Sequence, residues 1–290
     1  MISVIITAFK EPKTIGKAIS AFLPQISKKD EILAACPDKE TADVIKGYSK
    51  KFRQVKYIKD PGKGKPAALN LLFKKAKGDI LVFTDGDVFA GSHSLKPLLQ
   101  HFKNPKIGAV TGRTIAMDDR KKILGYWAHL LNDAAHLERK QRYLNSEFIF
   151  CSGYLFAMRR KIVKKIPEKT LDDAFISALV WKKGYSIAYE PDSTVYIKNP
   201  ATFSDWVMQK RRNARGHAEI NKLFKISMKS FKKEFSSGTL KALSYPKNLR
   251  EFFYTVLLFP ARLYIWILTF YDGLRGKNAF ELWKRVESTK

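Results

Sequence analysis

The chain has 290 residues, 45% of them hydrophobic, and carries a formal net charge of +27 from 54 Lys and Arg against 27 Asp and Glu. That apolar content excludes a disordered chain, and the length suits one elaborated α/β domain or a domain with an appendage. The charge asks for an anionic partner, whether nucleic acid, a negatively charged membrane face or a phosphorylated substrate, without choosing among them.

Short runs rich in Ile and Val alternate with stretches of helical period. Ser3 to Thr7, Glu31 to Ala35, Val55 to Ile58 and Ile80 to Thr84 read as strands, with helices near Lys13 to Phe22, Thr41 to Lys51 and Lys65 to Ala76 between them. This β-α-β-α-β-α-β order predicts a parallel sheet with right-handed crossovers and ligands outside the carboxyl ends of the strands. Ile107 to Thr111 and Phe148 to Met158 read as further strands, and Ile123 to Leu144 as an amphipathic helix. A helix from Ala174 to Lys183, ended by Gly184, follows Asp172-Asp173, and Tyr185 to Glu190 reads as another strand. No hinge is expected before about residue 200. Cys36 and Cys151 lack CxxC or Cys/His spacing, which argues against a zinc site or a disulfide framework and fits a reducing cytosol. The opening Ile2-Ser3-Val4-Ile5-Ile6 has no basic n-region and no long h-region, so a secretory signal peptide is not expected.

The most informative residues are Asp85 and Asp87, which follow the apolar run Ile80-Leu81-Val82-Phe83. Side chains of period two, with Gly86 between them, let both carboxylates face one hard cation that bridges to a diphosphate, although Asp-Gly-Asp also suits a plain turn. Lys63 and Lys65 sit in a Gly-rich loop opening a helix, where backbone N–H groups and cations can meet phosphate; the alternative is a solvated basic turn. Asp172-Asp173 opens a helix, which capping and dipole compensation would explain by themselves. His129, His136 and His217 have no second ligand at useful spacing and read as ordinary residues, and Trp127 reads as core. No G-x-G-x-x-G follows the first strand and no G-x-x-x-x-G-K-[ST] occurs, which weakens a dehydrogenase or a P-loop NTPase.

From Val207 to Arg250 there are 12 Lys and Arg against two Glu, followed by the apolar and aromatic run Phe252 to Tyr271. Twenty such residues are long enough to cross a bilayer, yet Pro260 and Arg262 sit mid-segment, where a charge costs about 2.5–3.5 kcal/mol. The basic approach with Tyr264, Trp266 and Tyr271 suits a helix lying in or dipping into an anionic interface; a helix buried on the domain is the alternative.

In their order and spacing, several of these pieces resemble an inverting family 2 glycosyltransferase of the GT-A fold over roughly residues 1 to 220. They are Val4 to Glu11, Gly62 to Asn70, Asp85-Gly86-Asp87, Cys151-Ser152-Gly153 through Arg159-Arg160, Leu171-Asp172-Asp173 and Gln209-Lys210-Arg211-Arg212. The resemblance implies a Rossmann-like, mostly parallel sheet flanked by helices in residues 1–220, with a basic and apolar helical segment over 221–290 that attaches to membrane. It implies sugar transfer from a UDP- or GDP-sugar to a lipid-linked or saccharide acceptor, dependent on Mg²⁺ or Mn²⁺, at the cytoplasmic face of the cell membrane, either peripherally or with one C-terminal membrane segment. Nucleic acid is not an expected partner.

Carried over residue by residue, Asp87 binds the metal most directly, with Asp85 nearer the ribose or a metal-bound water. Ala8, Phe9 and Glu11 border the nucleoside, and Asp38 contacts the base. Lys63 and Lys65 meet the donor, and Gln209 and Arg212 lie at the diphosphate. Asp173 is the general base, with Asp172 orienting or capping. Two departures stand out. Ala35 to Thr41 replaces the commoner Asp-Asp-x-Ser run, which leaves the base unassigned, and Asn213 stands where polymerising members carry Trp. Two rivals have less support. A nucleotidyltransferase would place a Gly-rich signature after the first strand, where Thr7 to Pro12 has no glycine, and a nucleic-acid-binding protein would show a reading helix or aromatic sheet motif.

Overall fold

The computed structural model describes residues 1–226, 231, 242–282 and 289. Residues 227–230 and 232–241 of the basic approach segment expected before Arg250 lie outside the described residues. Eight strands form one sheet in the order β3-β2-β1-β4-β7-β6-β8-β5. The first four are β1 (Ile2–Thr7), β2 (Glu31–Cys36), β3 (Val55–Lys59) and β4 (Ile80–Asp85), and the last four are β5 (Phe89–Ala90), β6 (Ile107–Ala116), β7 (Phe156–Arg159) and β8 (Ser186–Ile197). Helices α1 (Ile15–Phe22), α2 (Lys39–Lys51) and α3 (Lys65–Lys75) alternate with the first strands. They are followed by α4 (Leu95–Gln100), α5 (Ile123–Leu144), α6 (Asp172–Lys182), α7 (Phe203–Phe224) and α8 (Leu249–Leu274).

β1 through β4 pair in parallel, so both faces of that half must be covered, and the strands read as continuous apolar runs. Alternation sorts the side chains. Ile5, Leu33, Leu81 and Phe83 join Leu69 and Leu72 of α3 on one face. Val4, Ile6, Ile32 and Val82 join Ile15, Ile19 and Phe22 of α1 on the other. At about 1.5–3 kcal/mol per buried aliphatic or aromatic side chain, these two layers supply most of the apolar stabilisation of this half.

The second half departs from an all-parallel sheet. β7 runs antiparallel to both β4 and β6, and β5 antiparallel to β8, while β6 and β8 are parallel. The strand expected over Phe148 to Met158 is only Phe156–Arg159. Residues 148–155 form an irregular passage whose backbone is held by side chains: Ser177 Oγ accepts from Cys151 N at 2.9 Å, and Thr111 Oγ1 accepts from Ser152 N at 2.9 Å. Helix α5 has the bounds expected from its periodicity. Gly184, with φ +81°, ends the α6 turn by donating to Trp181 O at 2.9 Å, a left-handed position that favours glycine.

Helix α8, 26 residues, is long and apolar enough by length and composition to cross a membrane. Leu258, Ala261 and Ile265 pack on Tyr126, Trp127 and Leu130 of α5 and Trp206 of α7. Its two ends are pinned by ion pairs. Glu251 takes a bidentate contact from Arg120 (2.8 and 3.0 Å), and Asp272, fully buried, pairs with Arg211 of α7. The opposite face leaves Phe253, Leu257, Ile267 and Phe270 exposed. Both readings of the C-terminal run therefore meet in one helix, packed on one side and open on the other. The domain boundary expected at residue 220 falls inside α7, which continues to Phe224.

Candidate active site

The carboxyl ends of β1 and β4 lie side by side, with Thr7 paired to Asp85. Thr7 Oγ1 donates to Asp85 Oδ1 at 3.3 Å, and Gly86 N donates to Thr7 O at 2.9 Å. Gly86 is needed here by close approach: a Cβ built on it would lie 2.5 Å from Glu11 Oε2 and 2.7 Å from Ala8 Cβ. The Asp85-Gly86-Asp87 backbone therefore passes tight against the β1 loop and turns the two carboxylates toward the strand ends.

Lys65, the first residue of α3, enters the same space. Its Nζ lies 2.7 Å from Asp85 Oδ1 and 3.4 Å from Asp172 Oδ2, so the side chain expected to meet phosphate bridges two carboxylates. Burial works against its charge, and Asp172 and Asp85 together override that and hold the ammonium well above its usual range. Asp172, at the start of α6, is buried; that burial, with the neighbouring Asp173 and Asp85, raises its carboxyl against the pull of Lys65. Asp173 is more open. Its Oδ2 accepts from Gly153 N at 2.9 Å and its Oδ1 from Ala174 N at 2.8 Å, which fixes the carboxylate between α6 and the irregular passage.

Tyr154 follows Gly153 and is the residue that motif reading passed over. Burial first, then Asp87 and Asp85, push its phenol up, opposed by Arg212 and Lys65. The sequence signal for Tyr154 is its place directly after the Cys151-Ser152-Gly153 motif. Arg212 also reaches Asn213 Oδ1 at 3.4 Å, and Gln209 lies one turn earlier on the same helix.

The residues expected to border the nucleoside follow β1 and β2. Ala8 is buried and donates its N–H to Ala35 O at 2.9 Å, and Phe9 is partly exposed. Glu11 is buried, its N–H donating to Thr41 Oγ1 at 2.8 Å. Asp38 caps α2 by accepting from Thr41 N at 3.0 Å and ties down the β1 loop by accepting from Lys10 N at 2.8 Å. Burial tends to raise its carboxyl, but these hydrogen bonds outweigh burial and hold it below the ordinary range. Lys63 is exposed on the loop before α3. Arg159 and Arg160 do not reach the site; they bond Ile107 O, Phe102 O and Ala76 O at the other end of the sheet. Cys36 and Cys151 are buried, and that burial pushes their thiols up to about 12, which disfavours the reactive thiolate.

The sequence pattern of the family described as glycosyltransferase like family 2 matches residues 1–216. The chain belongs to this family. Relatives that carry glycosyltransferase and synthase names agree with this membership. The chain is 27% identical over 272 residues to a probable glycosyltransferase, YdaM, of Bacillus subtilis, covering 89% of this chain and 63% of that protein. It is 24% identical over 232 residues to a poly-beta-1,6-N-acetyl-D-glucosamine synthase of Staphylococcus epidermidis, covering 76% of this chain and 55% of that one. The chain thus spans little more than half the length of these relatives.

Among solved structures, the mannosyltransferase PcManGT of Pyrobaculum calidifontis, in complex with GDP-Man and Mn²⁺, superposes with a TM-score of 0.67 at 16% identity, covering 96% of this chain and 88% of that one. S. aureus TarS 1-349 in complex with UDP superposes with a TM-score of 0.56 at 16% identity, over 86% and 76%. These likenesses establish the GT-A fold of this family 2 member.

Among the described residues no three His, Cys, Asp or Glu side chains form a ready-made metal cage. The donor set is instead one of hard oxygens. Asp85 and Asp172 meet at Lys65, Glu11 lies against Gly86 between Asp85 and Asp87, and Asp173 follows Asp172. Such a set suits a small divalent cation that takes one or two carboxylates and completes its shell with phosphate and water.

Proposed function

We propose that the chain transfers a sugar, with inversion, from a UDP- or GDP-sugar to a lipid-linked or saccharide acceptor at a membrane surface. The observation that carries the reading is that Lys65 joins Asp85 at the end of β4 to Asp172 at the start of α6, with Asp173 next to it fixed on Gly153. GDP-Man in PcManGT and UDP in TarS make these nucleotides the first donors to try.

Asp87 would hold Mg²⁺ or Mn²⁺, with Asp85 beside it, and the bound cation supplies charge neutralisation for a departing diphosphate. Ala8, Phe9, Glu11 and Asp38 border the nucleoside. Asp38 keeps lone pairs beyond those used for capping, and one can accept from a base. Arg212, with Gln209 on the same helix, adds a planar donor for phosphate oxygens, and Lys63 is free of the carboxylate bridge that engages Lys65. Asp173 removes the acceptor hydroxyl proton while the acceptor oxygen attacks the anomeric carbon from the face opposite the leaving group. Its two backbone hydrogen bonds fix where that proton goes. Asp172, buried against Lys65, orients the pair.

The region after residue 220 is the proposed membrane-binding part. The open apolar face of α8 rests in the interface, and the surrounding Lys and Arg favour anionic lipid, each by about 1 kcal/mol near the surface. The ion pairs at both ends of α8 favour peripheral attachment over a span, and we place the protein on the cytoplasmic face.

Release of UDP or GDP from a panel of sugar nucleotides, with Mn²⁺ or Mg²⁺ and with excess EDTA, tests the core of the reading. Release that needs both metal and one sugar nucleotide supports it. Equal release in EDTA rejects the metal role, and no release from any UDP- or GDP-sugar rejects the donor class.

A further inference from the structure

Beyond α8 the chain turns at Gly276 (φ +69°) and doubles back across α7. Three contacts hold this returning segment. Arg215 Nε donates to Lys277 O at 2.7 Å, Ala279 N donates to Glu219 Oε1 at 3.0 Å, and Ala279 is buried over Gly216. Gly216 has no room to spare, since a Cβ there would lie 3.1 Å from Leu171 and 3.4 Å from the Ala279 Cβ. The same glycine therefore brings together the residue preceding Asp172-Asp173 and the returning segment.

The next residue, Phe280, lands on the loop before α3. Its ring lies 3.3 Å from where a Gly64 Cβ would stand. Gly62 and Gly64 both have positive φ, +75° and +94°, so this loop has little conformational preference of its own to hold its shape. The first turn of α3 hangs from it: Ala67 N and Ala68 N both donate to Gly64 O, at 3.1 and 3.2 Å. Lys65, which bridges Asp85 and Asp172, is the next residue along.

We infer that Phe280 is a positioning residue for the donor diphosphate: its ring covers the Gly62-Lys63-Gly64 loop and fixes where that loop presents Lys63, Lys65 and the N–H groups that open α3. The inference rests on the donor reading of this loop given above. It assigns a function to a part of the chain beyond residues 1–216, the stretch matched by the family pattern. A ring contact suits the task because the two glycines offer no side chain for the rest of the domain to grip. Phe280 is 39% exposed, so its truncation removes a cover without opening a core.

The test compares full-length wild type, Phe280→Ala and Phe280→Leu by titration with UDP and with GDP in the presence of Mn²⁺, together with amide hydrogen exchange. Phe280→Ala is expected to weaken binding of the nucleotide that wild type binds about tenfold and to speed exchange at Ala67 and Ala68 several-fold. Amides of α8 and the melting temperature should stay as in wild type, and Phe280→Leu should recover most of the affinity. In turnover the loss should appear in the KM for the sugar nucleotide rather than in kcat. Wild-type affinity in Phe280→Ala overturns the inference while leaving the donor reading intact, as does weakened binding with unchanged exchange at Ala67 and Ala68. Binding of neither nucleotide by wild type itself overturns the donor reading, and the role of Phe280 with it.

Discussion

Strands β1 to β4 deliver Asp85 and Asp87 at the end of a parallel strand, whereas the half built around β6 to β8 delivers Gly153, Tyr154 and Asp173 from an irregular passage and a helix start. In the first half, position follows from the sheet: wherever β4 lies against β1, its terminal carboxylates stand beside Thr7 and Ala8. In the second half, position depends on individual hydrogen bonds from side chains to backbone. The contrast separates residues whose loss should cost activity alone from residues whose loss should also cost stability.

The largest expected effect is on the chemistry. Asp87→Asn and Asp173→Asn should each lower sugar transfer by roughly 10²–10⁴-fold, the range for losing a cation contact or a general base. They should differ in nucleotide binding, which weakens in Asp87→Asn and holds in Asp173→Asn. An inactive Asp172→Asn beside an active Asp173→Asn would exchange the roles of the neighbouring carboxylates.

Gly86→Ala probes the platform itself. The new methyl must displace Glu11 and Ala8, so a loss of about 1–3 kcal/mol in denaturant unfolding should accompany the loss of activity. Wild-type stability in that variant would mean that the β1 loop yields freely to the added methyl.

A smaller effect belongs to α8. Leu257→Asp and Phe253→Asp alter its open face and leave its packed face untouched. Binding to anionic vesicles should fall several-fold, and binding of the unaltered protein should weaken in high salt. Vesicle binding that ignores both substitutions would move the membrane contact elsewhere on the molecule.

The smallest effect lies at the far end of the platform. Glu31 is buried and accepts from Ser3 Oγ, Lys56 Nζ and Lys77 N at 2.8, 2.7 and 2.7 Å. Burial would raise its carboxyl, but these partners outweigh it and hold it below the ordinary range. A depressed carboxyl stabilises the fold above its unfolded value, about 4.3, and that contribution is lost as the pH falls toward the folded value. Melting temperatures of Glu31→Gln and wild type should therefore differ at pH 7 and converge as the pH drops below about 4. A gap that stays constant with pH would show that the charge of Glu31 contributes nothing.

The difference between the halves also explains what could be read from sequence. Short apolar runs located β1 to β4, and period-3.6 patterns located α1 to α3, α5 and α6, to within a few residues, because burial on both sheet faces imposes the runs and a helix stripe imposes the period. The passage 148–155 is just as apolar, yet its backbone bonds go to Ser177 and Thr111 instead of a ladder, and apolar content does not distinguish the two. Asp85 and Asp87 were legible because a strand end marks them. The bridging of Asp85 and Asp172 by Lys65 was not legible, since it joins residues far apart in the chain. Neither was the seat of Phe280 on Gly64, which depends on the path of α8.

The clamps at the two ends of α8 have a consequence for sidedness. Glu251 and Asp272 face the body of the domain, on Arg120 and Arg211, so both ends of the helix are held on the protein, and in the peripheral reading both stay on one side of the membrane. In sealed vesicles carrying the protein on their outer surface, a protease site placed at Ser244 and another at Lys277 should be cut together, with no need to open the vesicle. Epitopes at these two positions would report one compartment, which makes the pair a direct measure of topology.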